Sequence, residues 1–212
     1  MGELKIALII MCTTLTAIAA QLRFHIGPIP YTMQNFAVIL SGILLSPAYA
    51  FSSQLLYLLL ICLGLPIATG FRGGIHVLLG YTGGYLMGFP ITVLLMSLLT
   101  RIYLKSRNKH LHELSKSDIV GLLLLSVIAA LPTYILGFIV FYHYAVPGTS
   151  LFQWASSTTR SLGLNFDNPS LLLFVASVLI FLPQDVLMDH LLAITLAYNI
   201  TKILKAKGVA IP

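Results

Sequence analysis

Charge is what this sequence most conspicuously lacks: only 8% of its 212 residues are charged, and just 6 of them are acidic. Soluble domains carry about 25% charge, so an ordinary water-soluble fold is excluded. Cysteine is equally sparse. Cys12 and Cys62 each sit inside an apolar run, where a small buried side chain is sufficient explanation, and they point to neither a disulfide nor a metal site. No G-x-x-x-x-G-K-[ST] stretch occurs, so the chain has no P-loop with which to hydrolyse ATP, and H-E-x-x-H and G-x-S-x-G are missing too. Any energy the protein uses comes from elsewhere. Long polar linkers are also lacking, which predicts one domain over residues 1–212.

What is present is apolar: 58% of the residues are hydrophobic, with a mean hydropathy of +0.96. This composition describes an all-α integral membrane protein. Stretches long enough to cross a bilayer, with allowance for tilted or broken helices, are predicted at 4–22, 34–47, 49–66, 76–101, 118–144 and 170–201, giving a compact bundle of six transmembrane helices. The first has the outline of a signal peptide, but it runs on to Gln21 and Arg23 without a convincing small-residue cleavage site, so it is read as a helix. The net charge of +6 comes from basic residues at the ends of apolar segments, which reports orientation rather than nucleic-acid binding. Lys5, Arg101, Lys105, Arg107, Lys109, Lys116, Lys202, Lys205 and Lys207 fall on one side, against Arg23, Arg72 and Arg160 on the other. By the positive-inside rule both termini are cytoplasmic, and the segments around 23–31, 70–74 and 146–168 face outward.

Gly64, Pro66, Gly70, Gly73 and Gly74 interrupt the apolar pattern. Irregular backbone at membrane depth is tolerated where it is buried in protein or lines a wet cavity, so a lined pocket is expected there. Asp185 in "FLPQDVLMDH" is an ionisable group inside a span, a functional-site signal that also suits a helix cap after Pro183. Asp189 and His190 either continue a polar stripe or, the favoured reading, sit near the inner surface of a tilted helix, and His76 is expected inside the bundle. Arg72 either snorkels to headgroups or takes a carboxylate with its planar fork. Gly80, Gly84 and Gly88, four apart, form a small-residue ridge for helix packing that places Tyr85, with Thr82 nearby, beside a pocket wall. In "GPIPYTMQN" the prolines enforce an extended, stiff lid, and Gln34 and Asn35 either cap the next helix or reach into the cavity.

The ordered segments "GPIPYTMQNFAVILSGILLSP", "GLPIATGFRGG", "LLGYTGGYLMGFP" and "FLPQD" resemble the BioY family of biotin transporters, the substrate-binding S components of energy-coupling factor (ECF) transporters. The resemblance covers about residues 4–104 and 181–198; residues 105–180 agree only in hydropathy. It implies a subunit of the bacterial cytoplasmic membrane that captures biotin from outside beneath external loops, without a cofactor or metal. Its partners would be a coupling subunit and two ATPases. By position, Asp185 takes the aspartate of P-G-D-x-x-K and would accept a ureido N–H, Tyr85 the tyrosine of T-G-G-Y, and Gln34 the glutamine of P-x-P-x-x-x-Q. Together with Arg72, Thr82 and Gln184 these form the expected substrate-binding set. The sequence departs from the pattern at Gln184 (usually glycine), Met188 (lysine) and Tyr81 (proline), and on the first helix it has Ile10 and Thr14 where small residues are usual. Arg72 is a candidate to supply the missing positive charge. The alternatives are an S component for another vitamin, or a membrane enzyme pairing Asp185 with His76 or His190.

Overall fold

A computed structural model describes residues 2–26 and 29–208. Gly27 and Pro28, the first two residues of the expected stiff lid, lie outside the described residues. The chain runs as α1 (Gly2–Ala19), a two-stranded antiparallel hairpin of β1 (Arg23–Ile26) and β2 (Ile29–Thr32), α2 (Gln34–Leu44), α3 (Pro47–Cys62), α4 (Ile75–Leu79), α5 (Gly83–Arg107), α6 (Lys116–Tyr144) and α7 (Ser150–Ser161). It ends in one irregular rod, Pro169–Ala206, built of α8 (Pro169–Phe174), a π-helical turn at Val175–Leu179, α9 (Leu182–Gln184), a second π turn at Asp185–His190, and α10 (Leu191–Ala206).

Among the described residues, α5, α6 and the terminal rod are long and apolar enough to cross a membrane, and three shorter apolar helices accompany them at Lys5–Ala19, Gln34–Leu44 and Pro47–Cys62. Many large apolar side chains on α6 face outward, Leu124, Ile128 and Ile135 among them. In water this would expose them; in lipid it solvates them.

Three expectations need correction. The fold is not purely helical, because Arg23 to Thr32 pair as a hairpin: proline at position 30 favours extended backbone in the residue before it. The predicted span 76–101 is two helices, broken at Gly80 to Thr82, with α5 continuing to Arg107. The segment 146–168, expected as an outward-facing loop, contains α7, started by the Thr149 hydroxyl accepting the Phe152 amide and seated by Phe152 and Trp154 against the core.

The scaffold is the α5–α6 pair. Gly84 lies against the Leu136 backbone and Gly88 against Thr133, so closely that a Cβ would sit 2.2 Å from the Leu136 carbonyl oxygen and 2.4 Å from the Thr133 Cα. Gly137 does the same for the Tyr85 ring, at 2.2 Å. Of the expected ridge, Gly84 and Gly88 serve the contact; Gly80 sits in the turn before α5 and faces its own chain. Across the seam the Thr92 and Thr133 hydroxyls pair at 2.9 Å, so neither is left unsatisfied. At the far end of the same pair, Ser115 caps α6, and the buried Asp118 gathers Arg107 and Lys109.

Candidate functional site

A cavity enclosing about 760 Å³ of empty space, including the part that opens to solvent, lies between the hairpin, α2, the 68–72 loop, α5, α6 and the terminal rod. Its lining is aromatic and aliphatic with a few polar groups, and of the residues that line it Asp185 is the one acid and Arg72 the one base. A concave, mixed lining of this kind is typical of small-molecule sites.

Asp185 is brought inward by the rod's phase. Ser177, Phe181, Asp185 and Asp189 recur every four residues, and all four are buried. In a regular helix such a row drifts by about 40° per step; the wider π turns, uncommon and frequently found at functional sites, offset that drift and keep the row on one face. One oxygen of Asp185, Oδ2, accepts from both the Asn35 amide and the Tyr134 hydroxyl, at 2.8 Å each. Its Oδ1 has no hydrogen bond among the described residues, so an acceptor is left available at the cavity wall.

Gln34 is buried at the start of α2 with its amide engaged at both ends. Its oxygen accepts from Thr32 at 2.9 Å and Thr69 at 3.2 Å, and its nitrogen donates to the Tyr57 hydroxyl at 2.9 Å. Tyr57 in turn donates to the Ile67 carbonyl at 3.2 Å. Asn35 thus reaches the cavity as one reading expected, and Gln34 ties the hairpin to the 67–69 segment.

Arg72 stands at the more exposed part of the lining, held by its Nε on the Thr69 carbonyl at 3.1 Å. Phe71 before it adopts φ 55°, and the flanking Gly70 and Gly74 also have positive φ, the backbone freedom for which glycine is suited. Tyr85 packs on Gly137 and donates to the Ser177 carbonyl at 2.8 Å. Thr82 joins it on the lining.

Five of the six expected residues, Gln34, Arg72, Thr82, Tyr85 and Asp185, therefore share one cavity. Gln184 does not: one position before Asp185, it is turned away from the lining, and its amide meets the Met188 sulfur at 3.7 Å on the outside of the rod. Met188 itself is 48% exposed. Asp189 and His190 are both fully buried in the rod, Asp189 accepting from the Tyr31 hydroxyl at 2.9 Å and His190 Nδ1 lying 2.9 Å from the Ser126 hydroxyl. His76 is exposed on α4 rather than inside the bundle, and the Asp185 carboxylate is engaged by Asn35 and Tyr134 rather than by either histidine. Sequence reasoning passed over Tyr31, Thr69, Tyr134 and Phe181, which also line the cavity.

A helical membrane protein with an internal, mixed-polarity cavity closed on one side by a hairpin is the class that these features define. The fold matches the crystal structure of the S-component for biotin from an ECF-type ABC transporter, with a TM-score of 0.69 over 95% of this chain and 92% of that one, at 21% identity. The chain belongs to the BioY family, whose family model matches residues 3–206. It is 44% identical over 94 residues to the "Probable biotin transporter BioY" of Pyrococcus horikoshii, a match covering 44% of this chain and 58% of that relative's length. It is 34% identical over 128 residues to the "Biotin transporter BioY" of Thermotoga maritima, covering 60% of this chain and 71% of the relative.

Proposed function

We propose that this chain is the biotin-capturing subunit of an uptake transporter, a single domain whose three long and three shorter apolar helices form six transmembrane segments. The basic side chains clustered near 101–116 and 202–207 support an orientation with both termini in the cytoplasm of a bacterial cell and the hairpin facing outward. In that orientation biotin enters from the outside and is released inward, with no covalent chemistry. The energy comes from a partner coupling subunit and ATPases, since the chain carries no P-loop of its own.

The observation that carries this reading is the unengaged Oδ1 of Asp185, the one acid on a cavity lining that mixes rings and aliphatic groups with neutral polar side chains and Arg72. A ureido ring offers N–H donors to such an acceptor, a charge-assisted bond in a largely dry site. The apolar bicycle suits Phe89, Phe181 and Leu86, and a carboxylate tail directed toward the mouth meets Arg72. Tyr85 and Thr82 complete the wall, and Gln34 acts through the segments it holds. This assignment gives Gln184 no ligand contact. The first helix leaves Ile10 and Thr14 exposed, the face on which a coupling subunit would dock.

Binding of labelled biotin to the purified chain in nanodiscs, without partners, tests the reading directly. Saturable binding displaced by biotin and desthiobiotin, and not by thiamine or riboflavin, is expected. Displacement by thiamine or riboflavin, or no saturable binding, refutes it.

A further inference from the structure

The hairpin contributes Ile29 to Thr32 to the cavity wall, so its position decides whether the cavity is open. Most of what holds it is apolar. Ile29 and Tyr31 pack into a cluster with Phe141, Leu173 and Phe181, and Tyr31 stacks on Phe24 at 4.6 Å between ring centroids. Apolar contact is non-directional, so it resists removal of the hairpin but fixes its seat weakly. One hydrogen bond is different in kind. The Tyr31 hydroxyl crosses to Asp189 Oδ1 at 2.9 Å, linking residues 158 apart in sequence, with both side chains buried. Thr32, the hairpin's other hydroxyl on the lining, is tied through the Gln34 amide to Thr69 and Tyr57, which leaves Tyr31 to make the direct side-chain bond to the terminal rod.

Besides Tyr31, Asp189 faces the Phe36 backbone in α2. Its Oδ2 is buried with no partner among the described residues, and Asp189 is not itself part of the cavity lining. A carboxylate inside an apolar bundle is among the costliest groups to leave without hydrogen bonds, and here the hairpin supplies one.

We propose that the Tyr31–Asp189 hydrogen bond latches the hairpin over the cavity, so that Asp189 is a positioning residue that sets the rate of ligand exchange without touching the ligand. The proposal deepens the preceding reading in so far as the ligand is biotin; the latch itself is a property of the chain alone. Lifting Ile29 to Thr32 away from the wall withdraws the Tyr31 hydroxyl from Asp189, so opening and loss of this bond are one event. Weakening the bond therefore accelerates both entry and escape.

The test uses the full chain in nanodiscs and two variants. Y31F keeps the ring and its stacking but removes the donor; D189N keeps an acceptor oxygen of lower charge. Hydrogen–deuterium exchange of the segment 23–32 is expected to rise in Y31F by roughly threefold to tenfold, the worth of one net hydrogen bond, and by less in D189N. Segments of α5 and α6 stay unchanged. Labelled biotin should associate and dissociate faster in Y31F by a similar factor. Hairpin exchange unaltered in both variants overturns the latch, and so does a rise spread evenly over α5 and α6, which marks general loosening. Slower or unaltered biotin exchange in a Y31F chain whose hairpin does loosen overturns the rate-setting role. If Y31F does not fold, D189N decides by the same exchange measurement. Failure of the wild-type chain to bind biotin refutes the choice of ligand, while hairpin exchange still judges the latch.

Discussion

The α5–α6 pair and the terminal rod are both long and apolar, yet they handle polar groups in opposite ways. In α5 and α6 the helices are regular over 25 and 29 residues, glycines let the backbones meet, and Thr92 and Thr133 satisfy each other. The rod, over 38 residues, is interrupted by two π turns and buries Ser177, Asp185, Asp189 and His190. Of the four buried side-chain atoms without a hydrogen-bond partner among the described residues, three belong to those turns: Ser177 Oγ, Asp189 Oδ2 and His190 Nε2. One region is built for contact and the other for recognition. Unsatisfied polarity is concentrated in the rod, where Ser177 lines the cavity, while the seam beside it pairs Thr92 with Thr133.

Substitutions in the two regions should therefore fail differently. The largest effect is expected at the seam: Gly88→Leu forces a side chain into the Thr133 backbone, beyond the about 1–3 kcal/mol typical of overpacking. The expected outcome is loss of monodisperse folded protein by size-exclusion chromatography. Asp185→Asn should instead leave a folded chain that binds biotin on the order of 100-fold more weakly, as expected for loss of one partner of a buried charged hydrogen bond; calorimetry reads this. Arg72→Ala should weaken biotin by about tenfold, a smaller loss because the guanidinium is more exposed. Biotinamide, which lacks the carboxylate, should be indifferent to the same change, and equal losses for the two ligands would remove Arg72 from the tail. The smallest effect is expected for Met188→Lys: its position on the outside of the rod predicts a change in affinity within about twofold. A large gain there would mean that a cation at this position reaches the site.

How far the sequence could be read follows the same division. The glycine spacing at 84 and 88 and the intramembrane acid at 185 are strong patterns because each violates what an apolar helix otherwise contains, and the structure brings the latter into a cavity with Arg72, Tyr85 and Gln34. The burial of Asp189 and His190 could not be read from the sequence, because a uniform helical phase carries no sign of a π turn. Gln184 was included for its adjacency to Asp185, although adjacent helical residues point about 100° apart. Tyr31, Tyr134 and Phe181 gave no signal, since an aromatic in an apolar run looks like ordinary core. The strand pairing of 23–32 rests on two short segments too brief to show an alternating pattern.

The side-chain amide of Gln34 holds Thr32, Thr69 and Tyr57 in one arrangement before any solute arrives. Conformational freedom that two loops would otherwise surrender during capture has thus already been surrendered in folding. What remains for an incoming molecule is chiefly to shed its own hydration, and affinity is higher by the difference.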